Sequence, residues 1–199
     1  MAIESVMHEK RIFNPPKTLS DQAYVKNLDE YYNLCKQAEE NYEEFWAGLA
    51  KELIDWKKPF TKILNADNAP FYKWFEDGEL NVSYNCLDRH LPSKKDKVAI
   101  IFEADNGKST HLTYQELYER VCQFANGLKT LNLALGDRVI IYLPMGIEAI
   151  VAMQACARIG LTHSVVFGGF SAKSIQERVI DAKAKLIITA DYQNRGGKE

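Results

Sequence analysis

Residues 137–167 read DRVIIYLPMGIEAIVAMQACARIGLTHSVVF, and this stretch decides the fold. Its two ends, 138–143 and 162–167, are short runs rich in valine and isoleucine, which predict β-strands. The longer stretch between them, 147–159, is predicted to be a helix. Strands that read as continuous apolar runs and alternate with helices are typical of a parallel sheet buried on both faces. We therefore predict an α/β fold with a mostly parallel sheet.

The flanking sequence continues this pattern in both directions. Asn106-Gly107 predicts a hairpin turn, Thr113 with Glu116 fits a capping box, and Ser171 is placed to cap a helix. The further predicted elements are strands at 98–102, 111–113 and 186–190 and a helix at 171–182. The helix after Thr113 carries apolar residues at Leu117, Tyr118, Val121, Phe124, Ala125, Leu128 and Leu131. Its helical spacing predicts an amphipathic helix packed on the sheet.

The first part of the chain follows a different pattern. Residues 22–56 contain no proline and show helical apolar spacing, which predicts two helices starting at Ser20-Asp21. Residues 57–92 are irregular and rich in aromatics, which could serve as a base-stacking platform. Because no arginines are interleaved with them, packing onto a larger body is favoured. The expected anchors are Phe60, Phe71, Tyr72, Trp74 and Phe75. The acidic run Glu39, Glu40, Glu43 and Glu44 is predicted to be a solvated helix face.

Composition excludes several classes of protein. The chain has 199 residues, 46% of them hydrophobic and 26% charged, which is typical of a globular protein. Its net charge of -2 gives no general attraction to nucleic acid or to an anionic membrane. The four cysteines are too widely spaced for a disulfide framework or zinc site, and no apolar leader opens the sequence. We expect a cytoplasmic protein with reduced thiols.

Two segments at predicted strand ends are candidate binding loops, because ligands of open parallel sheets bind at the carboxyl ends of the strands. The first is Phe167-Gly168-Gly169, where glycines allow close approach and a helix start favours a negative group. A tight turn alone would also explain these glycines. The second is Arg195-Gly196-Gly197-Lys198, in which two cations flank flexible glycines and suit phosphate oxygens. A solvated polar tail is its alternative. Together the segments predict a groove for a phosphorylated, partly aromatic ligand.

Other candidate motifs carry less weight. Gly107-Lys108-Ser109 resembles the end of a phosphate-binding loop but lacks the earlier glycine and falls in the predicted hairpin. His90 and His163 have no partners at catalytic or ligand spacing, so both are predicted to be structural. Asp88 and Arg89 are expected to form a local ion pair. We predict no catalytic residue and no metal site in this chain.

The chain resembles the N-terminal part of AMP-forming acetyl-CoA synthetases, which belong to the adenylate-forming enzymes. The resemblance lies in 85–90 (NCLDRH), 142–145 (YLPM), 155–160 (ACARIG) and 163–171 (HSVVFGGFS), which occur in the family's order. It implies three parts: an arm over 1–20, a helical, aromatic-rich extension over 21–95, and an incomplete α/β domain of AMP-binding type over 96–199.

The resemblance also implies a reaction. The family joins acetate to ATP, giving acetyl-adenylate and pyrophosphate, and then transfers the acetyl group to coenzyme A with release of AMP. It places Arg195, Gly196, Gly197, Lys198 and the loop Phe167, Gly168 and Gly169 at the coenzyme A site. The sites for ATP, magnesium and acetate are expected beyond Glu199, in the remainder of a longer parent chain.

Two expectations follow from the resemblance, and two alternatives stay open. The 199-residue chain alone is expected to be inactive, and its partners are small molecules and the rest of the parent chain, with no nucleic acid and no membrane. The acid could instead be propionate, since the acyl pocket is expected beyond Glu199. A non-catalytic binding or interaction module with the same fold is the remaining alternative.

Overall fold

The computed structural model describes residues 11–192 and divides between Leu53 and Ile54 into two compact units. The first unit contains α1 (Lys17–Ser20), α2 (Leu28–Glu40) and α3 (Tyr42–Leu53). The second contains β1 (Leu64–Asn65), β2 (Lys73–Trp74), α4 (Val82–Cys86), a 3-10 turn (Asp88–His90), α5 (Leu91–Lys94), β3 (Val98–Glu103), β4 (Ser109–Thr113), α6 (Tyr114–Lys129), β5 (Arg138–Tyr142), α7 (Ile147–Arg158), β6 (Thr162–Val165), α8 (Ala172–Ala182) and β7 (Leu186–Thr189). The sequence-based division at residues 20 and 95 stays a prediction.

The first unit contains the two predicted long helices, but the predicted start at Ser20-Asp21 is wrong. The Ser20 hydroxyl donates back to the Pro16 carbonyl at 3.4 Å, so it belongs to the short helix α1. The cap of α2 is Asn27, whose side chain accepts from the Glu30 N–H at 2.9 Å. The acidic run is exposed on α2 and the first turn of α3, which confirms the solvated face.

An aromatic cluster organises the start of the second unit. Trp56, Phe60 and Phe75 pack against one another with ring centroids 4.3 to 5.7 Å apart, while packing of the segment onto a larger body stays a prediction. Phe71 and Tyr72 are exposed, so their prediction as anchors is wrong. They lie in the connection before β2, away from the cluster. Gly78 packs directly against this cluster. A Cβ atom at this position would lie 2.6 Å from the Trp56 ring, so a larger residue would require the ring or the backbone to shift.

The hairpin and the helix after it form as predicted. Strands β3 and β4 pair antiparallel, and Gly107 in their turn has a φ of 78°, a conformation that glycine adopts without strain. Thr113 and Glu116 form a complete capping box at the start of α6. The helix buries Leu117, Val121, Ala125 and Leu128, while Phe124 and Leu131 stay partly exposed.

The remaining strands form a parallel sheet in the order β6-β5-β7, so the chain has an α/β fold. The central strand β5 is fully buried at Val139, Ile140 and Ile141, and it packs in one apolar core with α6 and α7. The expectation that all strands are buried on both faces is wrong for the two outer strands. Val165 of β6 and Ile187 of β7 are about half exposed, and both strands lie at the edges of the sheet.

Candidate functional site

The carboxyl ends of the three parallel strands open on one edge of the sheet. Register partners near this edge are Ile141 with Val165 and Tyr142 with Thr189. The connection from β5 to α7, the loop 167–170 after β6 and the residues after β7 therefore lie along the same edge. This arrangement is the usual location of a ligand site in such sheets.

The loop 167–170 is a hydrogen-bonded turn. The Phe170 N–H donates to the Phe167 carbonyl at 3.1 Å. The Tyr142 hydroxyl lies 3.1 Å from the carbonyl oxygens of both Gly168 and Phe170. Ser171 then caps α8 by accepting from the Ser174 N–H at 3.3 Å, as predicted. The loop is thus held from the strand end on one side and by the helix start on the other.

Exposed aromatic rings and one cation cover this loop. Phe167 is 53% exposed and Phe170 is 43% exposed, with the two rings edge to face at 6.2 Å. The guanidinium of Arg178 on α8 lies 4.8 Å above the Phe170 ring and donates to the Ser174 carbonyl at 3.0 Å. Accessible rings beside a fixed positive charge can bind a flat aromatic group that carries negative charge.

Sequence reasoning missed two residues at this loop, Tyr142 and Arg178. Tyr142 carried one usable signal, because it is the polar last residue of an otherwise apolar strand. Arg178 carried none, because its place over Phe170 depends on how α8 folds back beside the loop.

The second predicted segment, Arg195, Gly196, Gly197 and Lys198, lies outside the described residues. The described chain reaches Tyr192, just beyond the end of β7 at the same edge of the sheet. That the segment 195–198 and the loop Phe167, Gly168 and Gly169 form one groove stays a prediction.

A large cavity lies on the other side of β5. Its volume is about 1270 Å³, and it is bordered by the β3–β4 turn, α6, the β5–α7 connection, the start of α7, β7 and residues 190–192. Glu103, Asp105 and Glu148 contribute acidic groups to its border and Arg120 a basic one. The cavity shares no residue with the loop 167–170, since β6 and β7 flank β5 on opposite sides.

Titratable groups in the second unit serve the fold. Burial lowers the pKa of both His90 and His163, with Lys94 and Arg89 adding to the effect at His90. Both therefore favour the neutral form, in agreement with structural roles. Burial also raises the pKa of Cys156 to about 11, so this free thiol is not a nucleophile near neutral pH.

The predicted Asp88–Arg89 pair is wrong. Asp88 instead forms two hydrogen bonds with Arg158, Nη1 to Oδ2 and Nη2 to Oδ1, both at 2.7 Å. Arg89 points to Asp55, with Nη1 3.5 Å from Oδ1. The 3-10 turn over Asp88–His90 aims neighbouring side chains in different directions, so adjacency in sequence does not bring their charges together.

No group of three or more histidine, cysteine or acidic side chains within residues 11–192 is arranged to hold a metal ion. None of the helices in that same range is both long and apolar enough to cross a bilayer.

Comparison with known proteins divides the chain between residues 86 and 87, which differs from the structural division between Leu53 and Ile54. Residues 87–199 match the family model described as AMP-binding enzyme, and residues 31–86 match that of the acetyl-coenzyme A synthetase N-terminus. Proteins named acetyl-coenzyme A synthetase from Cupriavidus taiwanensis and Thiobacillus denitrificans are 63% and 64% identical over 198 and 197 residues. Each alignment covers 99% of this chain and 30% of the relative.

A solved structure extends the comparison to the fold. The acetoacetyl-CoA synthetase from Streptomyces lividans superposes with a TM-score of 0.77 at 26% identity, covering 82% of this chain and 25% of that one. The chain thus spans about a third or less of the length of the relatives it matches. Residues 31–86 match the N-terminal region of acetyl-coenzyme A synthetases. Because the AMP-binding family model matches more than half of its residues, the chain belongs to the AMP-binding, adenylate-forming enzyme family.

Proposed function

We propose that this chain is the N-terminal part of an AMP-forming acetate–CoA ligase and that it supplies part of the coenzyme A groove. In that reaction the acetate oxygen attacks the α-phosphorus of ATP, pyrophosphate leaves, and the coenzyme A thiol then displaces AMP from the acetyl carbon. The relatives named acetyl-coenzyme A synthetase support the ligase class. The role in coenzyme A binding rests on the loop described above.

One observation carries the proposal: the exposed Phe167 and Phe170 rings stand beside Arg178 at the carboxyl edge of the sheet. The adenosine end of coenzyme A combines a flat aromatic base with phosphate groups, which matches rings beside cations. Arg195 and Lys198 follow β7, which ends at this edge. Arg195 would donate two hydrogen bonds to the phosphate, and the Lys198 ammonium would contribute a compact positive charge. Gly168 and Gly169 would let the base approach the backbone, with Gly196 and Gly197 doing the same for the phosphate.

The chemical steps would belong to the remainder of the longer protein. ATP, magnesium and acetate would be held there, and the 199-residue chain alone would not turn over. The part of the chain proposed to serve the reaction is the α/β domain over 96–199, with 21–95 as a packed extension and 1–20 as an arm.

The coenzyme A role is tested by calorimetric titration of the 199-residue chain. We expect weak binding of coenzyme A, weaker binding of dephospho-coenzyme A, and a loss of at least about tenfold in affinity in Arg195→Ala, as for a charge-assisted contact worth about 1.5 to 3 kcal/mol. Lys97→Ala, which removes an exposed cation before β3 and outside the cavity lining, is the matched control and should bind as wild type. Tight ATP binding by this chain, or an unchanged affinity in Arg195→Ala, would contradict the assignment. In the longer enzyme, turnover of acetate against propionate decides the acid.

A further inference from the structure

Tyr142 reaches the loop 167–170 from within the sheet. It is the last residue of the central strand β5, paired with Thr189 on one side. On the other side the Val166 N–H donates to the Ile141 carbonyl at 2.8 Å, which carries the strand pairing up to the base of the loop. From there the Tyr142 hydroxyl extends to the loop and lies 3.1 Å from each of two carbonyl oxygens. These belong to Gly168 and Phe170.

Those two contacts fix the direction of two peptide planes. In a planar trans peptide the C=O of one residue and the N–H of the next point to opposite sides. With the Gly168 carbonyl turned toward Tyr142, the Gly169 N–H faces away from it. With the Phe170 carbonyl turned the same way, the Ser171 N–H also faces away. Tyr142 thereby sets the orientation of two backbone donors that it does not touch.

The contacts are well suited to a positioning role. A tyrosine hydroxyl has one proton, so the two carbonyl oxygens share a single donor, and both contacts are lost if that donor is removed. Arg178 lies over the Phe170 ring, and its hydrogen bonds go to the carbonyl and hydroxyl oxygens of Ser174 rather than to the loop carbonyls. The ring contact and the hydroxyl contact therefore constrain different parts of the same loop.

We propose that Tyr142 is a positioning residue for ligand binding, whose hydroxyl holds the loop 167–170 so that the Gly169 and Ser171 N–H groups face a ligand rich in hydrogen-bond acceptors. Ring nitrogens and phosphate oxygens are such acceptors. This inference rests on the proposed coenzyme A function, and it assigns to a half-buried tyrosine at the end of the central strand the positioning of backbone donors beside the exposed rings.

The test compares the 199-residue chain with Tyr142→Phe, which keeps the ring and removes only the hydroxyl. Tyr84→Phe on α4, away from this edge, is the matched control. Amide NMR signals and heteronuclear relaxation of Gly169 and Ser171 report the loop directly. We expect Tyr142→Phe to shift both signals and to increase motion over 168–171, with β5 and α7 unchanged, and to weaken coenzyme A binding about two- to tenfold. Replacement of Tyr142 by 4-aminophenylalanine, which retains a donor, should restore both properties.

The outcomes separate this inference from the proposed function. Unchanged Gly169 and Ser171 signals in Tyr142→Phe would overturn the positioning role. Loosening throughout β5 and α7 would also overturn it, because the hydroxyl would then stabilise the sheet as a whole. If the loop loosens as expected but wild type binds no coenzyme A, the positioning of the loop stands and the coenzyme A function is wrong.

Discussion

Two neighbouring regions of the parallel sheet and its helices differ in how deeply their side chains are buried. The packed region consists of α6, β5 and α7, where Val121, Ile141 and Ala155 have no exposed surface. The open flank consists of β6, the loop 167–170 and α8, and α8 has no buried residue. Both regions repeat the same strand and helix pattern. The apolar pattern of the sequence therefore predicts whether a segment is a strand or a helix, while the burial of that segment depends on which other elements cover it.

We expect the packed region to determine the stability of the fold and the open flank to provide the ligand-binding surface. In the packed region the helices cover β5 and their apolar contacts supply stability. On the open flank the same kind of side chain faces outward, where Phe167 and Phe170 are accessible to a ligand. Stability and recognition should therefore respond to different substitutions.

The largest expected effect comes from emptying the packed region. Ile141 is 0% exposed, so Ile141→Ala loses buried contacts and leaves a cavity, at a cost of about 2 to 5 kcal/mol. Ile180 on α8 is 66% exposed, so Ile180→Ala should change the free energy of unfolding by less than about 0.5 kcal/mol. Urea unfolding followed by far-UV circular dichroism measures both. Equal losses would show that the open flank is as well packed as the core, against the comparison.

A smaller effect is expected at the ion pair that fastens the packed region to the segment before it. Asp88 and Arg158 are 18% and 23% exposed, and they join the 3-10 turn to the end of α7. Asp88→Asn leaves a partly buried guanidinium without its charge partner, which should cost about 1 to 3 kcal/mol.

Asp55→Asn is the matched control for that pair. Asp55 is 55% exposed and its contact with Arg89 is longer, at 3.5 Å, so its loss should cost less than about 1 kcal/mol. Urea midpoints for the two variants, measured together, give the comparison. A larger loss in Asp55→Asn would mean that the Asp88–Arg158 pair does not fasten α7.

Local signals predicted most of the elements in the packed region. The capping box at Thr113 and Glu116 needs only residues three apart, and the apolar run of β5 defines a strand by itself. These features depend on short stretches of chain, which is why the sequence was sufficient. The Ser171 cap on the open flank was predicted for the same reason.

Contacts between distant residues could not be predicted in this way. Asp88 has an adjacent arginine, yet it pairs with Arg158, seventy positions later. Tyr142 and the loop carbonyls it contacts are 26 and 28 positions apart. Likewise, the exposure of Val165 on β6 does not follow from its apolar run, because such a run does not reveal what covers the strand. The candidate loop was found from its own residues, but the side chains that hold it were not.

The smallest expected effect concerns the link between the packed strand β5 and the outer strand β7. Asp137, just before β5, accepts from the Lys185 ammonium at 2.8 and 2.9 Å and from the Ala134 N–H at 2.8 Å. The contact with Lys185 has the largest effect, and together these contacts lower the pKa of Asp137 below its ordinary value. The unfolded chain therefore binds this proton more readily than the native one. The stabilisation is present above the ordinary carboxyl pKa of about 4 and is lost as the pH falls below it.

Asp137→Asn removes this contribution at every pH, so its difference from wild type should be greatest near neutrality and shrink as the pH falls toward about 3. Because Lys185 is exposed, salt should weaken the effect, which is why we place it last. Lys185→Met should reproduce much of the same pH course, and the double variant should show little further change, since both side chains serve one contact. Urea midpoints across this pH range measure all four proteins. A difference between Asp137→Asn and wild type that stays constant with pH would mean that the outer strand is held by its backbone pairing alone.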